Sequence, residues 1–349
     1  MNVLGIETSC DETAAAVVGD GGIVRSNIVF SQVALHRPHG GVVPEIASRN
    51  HLEHLPRTIE RSLTQSGLEW SQIQAVAVTY GPGLASSLLV GLSAAKALAL
   101  QLKIPLIGIN HLEAHLYSVF LTPGAPRYET VCPFLALIVS GGHTCLVRVT
   151  APGHYRRLGQ TIDDAAGEAF DKGAKLLGLE YPGGPAIDRL GALGSASCIA
   201  FPRTRVSSAA FTGGLSPSLC FSFSGLKTAL LYYLRENPAA MHEPLLKDVA
   251  ASFQEAIITA LVSGVERALQ RERVQTLVAA GGVVLNSRLR VKLLELAAGL
   301  EVRILLPARE HCADNAAMVA GLAGNGQGLT GEEAWALDAS PNLELGATN

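Results

Sequence analysis

The chain has 349 residues, of which 48% are hydrophobic and only 16% charged, and 36 of them are glycines. This composition is typical of a compact α/β protein with room for two domains, and it excludes a disordered or fibrous chain. The formal net charge is −3, so composition gives no sign of a nucleic-acid binder, and positive charge for such a ligand would have to come from a local patch or a partner.

The six cysteines are scattered and form no C-x-x-C pair, which fits a reducing compartment better than a disulfide framework. A strand begins almost at once after Met1, which leaves no room for a signal peptide. Apolar runs are interrupted by Ser, Gly or Lys before they could cross a bilayer, so no membrane span is predicted. We therefore expect a cytoplasmic protein.

A strand, a small polar turn and a second strand occur twice, in residues 3–18 and again in residues 134–149. A strand, a glycine turn and a helical stretch also occur twice, beginning at residues 76 and 277. Repetition of these units in the same order indicates that the chain holds two related halves.

Each of these four turns can aim backbone N–H groups at a phosphate. One such turn carries little information, but four in a repeated order are typical of the actin, sugar-kinase and Hsp70 superfamily. The adenosine loop of that superfamily follows a strand of the second half, where residues 281–286 stand here. We therefore expect an α/β, two-lobed fold of this kind, made of two related RNase H-like halves with a ligand cleft between them.

The expected first lobe comprises residues 1–110 plus about 306–330, and the expected second lobe comprises residues 111–305. Residues 195–225 are rich in Ser, Gly, Thr and Phe and are typical of a long loop. Residues 331–349 form a C-terminal tail whose weakly acidic composition is compatible with disorder.

Two histidines four residues apart, His111 and His115, follow a short apolar run, and Asn110 can cap the helix that carries them. The spacing allows both imidazoles to bind one metal ion with a third ligand from elsewhere. The same spacing also occurs in an amphipathic helix with no metal. Asp314 is placed either to cap the following helix or to complete a His, His, Asp site.

Eight ordered motifs resemble those of the bacterial tRNA adenosine threonylcarbamoyltransferases, formerly called O-sialoglycoprotein endopeptidases. The resemblance runs from about residue 3 to about residue 324, and only the tail and parts of the loop at 195–219 fall outside it. The motifs are GIETSCDET at residues 5–13, GPG at 81–83, HLEAH at 111–115, VSGGHT at 139–144, GEAFDK at 167–172, YPGGP at 181–185, FSGLK at 223–227 and GGV at 281–283.

The resemblance implies transfer of a threonylcarbamoyl group from threonylcarbamoyl-AMP to an adenosine exocyclic amine, with release of AMP. The acceptor is the adenosine 3′ to the anticodon in tRNAs that read ANN codons. His111, His115 and Asp314 match the family's ligands for one divalent metal per chain, usually Fe2+ and sometimes Zn2+. The matching substrate-binding positions are Ile138, Val139, Ser140, Gly141, Gly142, Asp171, Gly184, Asp188 and Asn286.

The resemblance also implies partners, and the residues themselves suggest two further roles. Bacterial relatives work with an inactive paralogue and a small ATPase, which join tRNA as expected partners. Asp11 is our candidate to receive the proton of the attacking amine, and Glu12 is the second candidate. A turn-forming Asp11 that bonds its own backbone is the alternative. Arg37 and Arg49 are the expected tRNA contacts, since the chain as a whole is slightly acidic.

Three other functions are compatible with parts of the sequence. A metalloprotease needs a general base beside the metal, but Glu113 lies about 200° around the helix from the first histidine. An ATPase or sugar kinase would use the phosphate turns with Mg2+ and would not need paired histidines. An inactive scaffold would not need the intact set of His111, His115 and Asp314.

Overall fold

The computed structural model describes residues 1–202, 206–207 and 209–346, which form ten β-strands and twelve α-helices. The strands are β1 (Val3–Glu7), β2 (Glu12–Gly19), β3 (Ile23–Ser31), β4 (Ala75–Gly81), β5 (Leu106–Asn110), β6 (Phe134–Val139), β7 (Thr144–Ala151), β8 (His154–Gln160), β9 (Thr276–Ala280) and β10 (Arg303–Leu305). The helices are α1 (Val33–His36), α2 (Pro44–Ser66), α3 (Ala85–Leu102), α4 (His111–Tyr117), α5 (Tyr128–Val131), α6 (Ala166–Leu176), α7 (Gly183–Gly191), α8 (Ser224–Glu236), α9 (Leu245–Glu272), α10 (Ser287–Gly299), α11 (Ala316–Gly324) and α12 (Gly331–Ala336).

The chain divides into two compact units. The first contains residues 1–130, 152–154 and 307 onward, and the second contains residues 131–151 and 155–306. The first unit therefore continues beyond residue 110, where the sequence predicts a lobe boundary. Close packing of α4 against α11 is the physical reason, because a Cβ atom at Gly321 would lie 2.9 Å from the ring of Tyr117.

The C-terminal segment has fixed contacts in the first unit as far as it is described. The amide of Ser340 donates to the carbonyl of Tyr80 at 2.8 Å, and Lys96 donates to the carbonyl of Leu337 at 2.7 Å. Residues 347–349 of the expected tail lie outside the described residues, as do residues 203–205 and 208 of the expected long loop.

The sheet of the first unit has the order β3-β2-β1-β4-β5. Strand β2 runs antiparallel to both β1 and β3, whereas β4 pairs parallel with β1 and β5 pairs parallel with β4. Every residue of β1, β4 and β5 is buried, as expected for parallel strands covered on both faces. The carboxyl ends of these three strands meet at one edge, where Glu7, Thr79 and Asn110 lie.

The sheet of the second unit has the order β10-β9-β6-β7-β8. Here β6 pairs antiparallel with β7 and parallel with β9, and β9 pairs parallel with β10. When β6 is matched with β1, the two sheets have the same strand order, and the central strand of each is antiparallel to one neighbour and parallel to the other. This confirms the prediction of two related halves in an α/β fold.

Helix α9 forms the centre of the second unit's core. Its buried residues include Val249, Phe253, Ile257, Leu261 and Val265, and this four-residue spacing places them along one face. Glycines allow neighbouring elements to approach this helix: a Cβ atom at Gly173 would lie 2.2 Å from the ring of Phe253. The second unit is therefore built around one long buried helix.

Among the described residues, α3 is the one helix that is long and apolar enough to cross a membrane, although the sequence predicts no span. One such helix is weak evidence, because core helices of globular proteins pass the same test. Leu88, Leu92, Ala95 and Ala99 of α3 are buried, and the last three belong to the core of the first unit.

Candidate active site

A buried carboxylate, Glu7, lies at the carboxyl end of β1 and accepts hydrogen bonds from three parts of the first unit. The backbone amide of Ser9 donates to Oε1 at 2.6 Å, and the hydroxyl of Thr79 donates to Oε2 at 2.6 Å. Nδ1 of His111 lies 3.0 Å from Oε2. Because a carboxylate only accepts, Nδ1 of His111 must carry a proton, and Nε2 points away from Glu7.

Asn110 holds the start of the helix that carries the histidines. Its side-chain oxygen accepts from the amides of Leu112 at 2.9 Å and Glu113 at 3.4 Å, which satisfies two free N–H groups of the first turn. Its side-chain nitrogen donates to the carbonyl of Glu344. The expected cap is therefore present, and it fixes His111 and His115 relative to the end of β5.

His111, His115 and Asp314 converge as the sequence predicts. Oδ1 of Asp314 lies 3.6 Å from Nε2 of His111 and 3.1 Å from Nε2 of His115. One ligand atom from each of the three residues lies within 4.8 Å of the others. Asn315, not Asp314, caps α11 by accepting from the amide of Met318, so the carboxylate of Asp314 is available to the histidines.

These three side chains suit a divalent transition metal, because imidazole nitrogen and carboxylate oxygen are its usual ligands. His115 is buried, and neither of its ring nitrogens forms a hydrogen bond with the described residues, although Nε2 lies 3.1 Å from Oδ1 of Asp314. A buried polar atom without a partner costs free energy unless something else satisfies it. The bond from Glu7 to Nδ1 of His111 is the kind of support that orients a metal-binding histidine.

The charges around His111 favour a cation at this position. Burial lowers the pKa of His111, but the carboxylates of Glu7 and Asp314 outweigh burial and raise the pKa to about 9. Burial likewise opposes ionisation of Glu7, yet the charge and hydrogen bond of His111 leave its pKa lowered. The negative potential that retains a proton on His111 would also favour a bound divalent metal.

Asp11 lies in the turn between β1 and β2, Glu12 is the first residue of β2, and the charge of Asp314 acts on both. Burial, followed by the charge of Asp314, raises the pKa of Asp11. Burial also raises the pKa of Glu12, to about 8, although Glu12 accepts a hydrogen bond from Ser31 at 2.8 Å. Oε2 of Glu12 has no partner among the described residues. Both candidate proton acceptors thus belong to the same unit as the metal ligands.

Glu113, the residue that a metalloprotease would need, has a different environment. Its Oε1 accepts from the amide of Gly346 at 3.1 Å. It contributes to raising the pKa of Tyr80, after the larger effect of burial. These contacts do not favour a role for Glu113 as the general base of a metal-bound water.

The turn of residues 140–143 in the second unit closes on itself. Ser140 donates its amide to the carbonyl of His143 at 2.8 Å, and its hydroxyl accepts from the amide of His143 at 3.2 Å. A Cβ atom on Gly141 or Gly142 would meet nothing within 4 Å. The side chains of Ile138 and Val139 are fully buried, so they could meet a ligand only through backbone atoms.

The remaining expected substrate positions lie in the same unit and hold its loops. Asp171 accepts from the amide of Gly183 at 2.7 Å, next to Gly184. Asp188 accepts from the amide and the hydroxyl of Ser287. Asn286 caps α10 and donates to Gln254 at 2.6 Å.

Arg37 and Arg49 are both exposed. Arg37 lies in the short turn after α1, and Arg49 lies in the second turn of α2. A side chain that contacts a tRNA phosphate must be exposed, but exposure alone does not identify such a contact.

Two site residues escape prediction from the sequence. In the sequence, Glu7 is the last residue of an apolar strand, and Thr79 is a small residue shortly before a glycine turn. The signal for Glu7 is a lone acid in an otherwise buried strand, because burial of a carboxylate requires partners. Nothing in the local sequence identifies Thr79 as one of those partners.

Comparisons of the sequence with known proteins agree on one family. The family described as "TsaD: tRNA N6-adenosine threonylcarbamoyltransferase" matches residues 23–321. A protein with the name tRNA N6-adenosine threonylcarbamoyltransferase from Trichlorobacter lovleyi is 51% identical over 320 residues, covering 92% of this chain and 90% of the relative. One of the same name from Anaeromyxobacter dehalogenans strain 2CP-C is 52% identical over 345 residues, covering 98% and 99%.

Two solved structures share the fold at low sequence identity. The activator of the 2-hydroxyisocaproyl-CoA dehydratase from Clostridium difficile aligns with a TM-score of 0.51 and 15% identity, over 93% of this chain and 95% of that chain. Full-length HypF aligns with a TM-score of 0.57 and 13% identity, over 93% of this chain and 46% of that chain. At this identity the likeness bears on the fold alone.

We predict that Glu7→Gln weakens metal binding by about 10–100-fold, the usual effect of removing a carboxylate that supports a metal-binding histidine. The change keeps size and shape but removes the charge that orients His111. Competition with a chelator, followed by elemental analysis of the purified chain, would measure the affinity. Glu53→Gln, at an exposed position on α2, is the matched control and should bind as the wild type does.

His111→Ala should contain no stoichiometric metal in the same analysis. Full occupancy in that variant would exclude the site, whereas unchanged affinity in Glu7→Gln would exclude only the supporting role of Glu7.

Proposed function

The chain belongs to the tRNA N6-adenosine threonylcarbamoyltransferase family, and from this premise we propose the reaction that its site performs. A threonylcarbamoyl group is transferred from threonylcarbamoyl-AMP to the exocyclic amine of the adenosine 3′ to the anticodon in tRNAs that read ANN codons. The observation that carries the proposal is the convergence of His111, His115 and Asp314 in the unit that also bears Asp11 and Glu12.

The reaction needs a proton acceptor and a stabilised leaving group. The amine nitrogen forms a bond to the carbamoyl carbon, and the bond from that carbon to the phosphate oxygen of AMP breaks. The amine loses one proton, and AMP leaves with the electron pair of the broken bond. Because an adenine amine is a weak nucleophile, activation of the carbonyl and stabilisation of the phosphate must supply much of the rate.

A divalent metal bound by His111, His115 and Asp314, Fe2+ first and Zn2+ second, would supply Lewis-acid stabilisation of the carbamoyl oxygen or the phosphate. Glu7 keeps the proton of His111 on Nδ1, so that Nε2 stays available on the side of Asp314. Asn110 fixes the start of α4 and therefore the spacing of the two histidines.

Asp11 receives the proton of the attacking amine, with Glu12 as the second candidate. The side chain of Asp11 is short and partly exposed, and the charge of Asp314 acts on it. An increase in the pKa of a carboxylate makes it a better proton acceptor, provided that it is ionised when the substrate arrives.

The polar turns provide N–H groups for anionic parts of the substrate. In the second unit, Gly141 and Gly142 leave open space around the turn, which suits close approach of a phosphate to the backbone. The proposed substrate positions Asp171, Gly184, Asp188 and Asn286 belong to the same unit, and the hydrogen bonds of the two aspartates and Asn286 keep the neighbouring loops in place.

The partners follow from the family. We propose that the chain acts in the cytoplasm on tRNA, together with an inactive paralogue and a small ATPase of the bacterial threonylcarbamoyl complex. The test is to incubate the purified chain, these two partners, tRNA and threonylcarbamoyl-AMP, and to measure the modified adenosine by mass spectrometry. Modified adenosine that depends on this chain supports the proposal, and its absence with active partners excludes it.

We predict that Asp11→Asn lowers transfer by roughly 10²–10⁴-fold, the usual contribution of a positioned base. The amide has the same shape but cannot accept the proton, so fold, metal content and nucleotide binding should remain. Single-turnover transfer from threonylcarbamoyl-AMP is the measurement. Asp20→Asn, at an exposed turn position, is the matched control. Near wild-type transfer by Asp11→Asn would show that Asp11 is only a turn residue.

We predict that the double variant Arg37→Gln, Arg49→Gln binds tRNA more weakly and with a shallower salt dependence. Each lost phosphate contact removes counterion release, so the slope of log K against log salt should fall by roughly one to two units. A second double variant, Arg271→Gln with Arg235→Gln, changes net charge equally at exposed positions of the second unit. Equal slopes for both double variants would assign tRNA binding to a partner subunit.

A further inference from the structure

Three consecutive carbonyl groups in the turn between β1 and β2 are held by donors from three other segments. The amide of Leu84 donates to the carbonyl of Ser9 at 2.8 Å, and the amide of Gln32 donates to the carbonyl of Asp11 at 3.1 Å. Between them, Nε2 of His51 lies 2.9 Å from the carbonyl oxygen of Cys10. Of these three donors, only His51 uses a side chain.

The roles of the two ring nitrogens of His51 follow from their partners. A carbonyl only accepts, so Nε2 must carry the proton. His51 is fully buried, and burial lowers its pKa, so the ring is neutral and Nδ1 accepts. The hydroxyl of Thr13, 2.7 Å away, must then donate to Nδ1. Gln32 completes the cluster with its side-chain nitrogen 3.4 Å from the Thr13 hydroxyl.

His51 therefore spans the turn from Cys10 to Thr13, and Asp11 and Glu12 lie between these two contacts. In a trans peptide the carbonyl of one residue and the N–H of the next point in opposite directions. Holding the carbonyl of Cys10 toward His51 therefore directs the N–H of Asp11 away from it. Because Gln32 fixes the next carbonyl, the direction in which the Asp11 side chain leaves the backbone is also set.

We propose that His51 is a positioning residue for the transfer reaction. Its Nε2–H holds the carbonyl of Cys10 and its Nδ1 holds the hydroxyl of Thr13, so that the Cys10–Asp11 peptide presents Asp11 to the acceptor amine. This proposal rests on the proposed function, since it acts through Asp11. His51 lies on α2, two residues after Arg49, and its side chain is fully buried.

The proposal predicts an effect on kcat more than on KM. A displacement of about 1 Å in a reacting group can lower a rate by about 10²-fold, and His51→Leu, which has no donor, should have this effect on kcat. KM for tRNA should change less than about twofold, because a fully buried side chain cannot contact the substrate. Metal content should be unchanged.

Conservative variants separate positioning from general destabilisation. His51→Gln keeps an amide donor for the carbonyl of Cys10 and should recover at least about a tenth of the wild-type kcat. Thr13→Val removes the nearer partner of Nδ1 and leaves only the side-chain nitrogen of Gln32, 3.4 Å away, so it should lower kcat in the same direction as His51→Leu. Thr58→Val is the matched control, because Thr58 is also buried on α2 but its hydroxyl donates to the carbonyl of His54 in the same helix.

A second measurement reports on the turn without turnover. Amide hydrogen exchange followed by mass spectrometry should show faster exchange in residues 8–14 for His51→Leu, and wild-type exchange there for Thr58→Val. Faster exchange together with a kcat that falls in His51→Leu and recovers in His51→Gln would support the proposal. Unchanged exchange, an unchanged kcat or an equal loss in Thr58→Val would overturn it.

The two proposals fail in different ways. If the wild-type chain with its partners transfers nothing to tRNA, the proposed function fails. The exchange measurement then decides alone whether His51 holds the turn, with unchanged exchange again overturning that role.

Discussion

Burial of the Glu7 carboxylate is the constraint on which the first unit depends. Removing an ionised carboxylate from water costs several kcal/mol unless hydrogen bonds and an opposite charge compensate. Here the compensation comes from the amide of Ser9, the hydroxyl of Thr79 and the imidazole of His111. These groups belong to the turn after β1, to β4 and to α4, so β1, β4 and α4 must be correctly aligned before Glu7 can be buried. The alignment of β1, β4 and α4 and the hydrogen bonds of Glu7 therefore depend on each other.

The same carboxylate belongs to a region with an excess of negative charge. Asp314 contributes to raising the pKa of Asp11, Glu12 and His111, after larger effects of burial or of Glu7. One protonated imidazole cannot neutralise all of these acids at once. A divalent cation between His111, His115 and Asp314 would relieve this repulsion, and it would also satisfy the buried ring nitrogen of His115 that faces Asp314. The electrostatics and the ligand geometry thus both favour a divalent metal bound by His111, His115 and Asp314.

Local patterns in the sequence predict those features that depend on neighbouring residues. The repeated strand–turn–strand unit predicts two halves, and both sheets indeed have one strand order. Four-residue spacing predicts that His111 and His115 face one ligand, and Asn110 predicts the cap. The family resemblance, not spacing, selects Asp314 as their partner.

What the sequence cannot predict depends on contacts between distant segments. Thr79 becomes a partner of Glu7 only because β4 pairs with β1, a fact of sheet topology. The first unit continues to residue 130 because α4 packs against a helix about 200 residues later in the chain, where Gly321 allows close approach to Tyr117. His51 reads as one cation among several in a polar segment until the carbonyl of Cys10 is found beside it.

The two halves share one scaffold, but their first turns are held in different ways. In the second unit, the turn of residues 140–143 closes through Ser140 and His143, and one remote donor, the amide of Gly167, bonds the carbonyl of Ser140 at 3.3 Å. In the first unit, residues 9–11 make their carbonyl bonds to donors from three remote segments, one of them His51. A turn that closes on itself can present backbone N–H groups to an anion with little else in place. A turn that must direct acidic side chains needs its peptide planes fixed from outside, so the first turn suits the proposed role of Asp11 and the second suits the proposed contact with an anion.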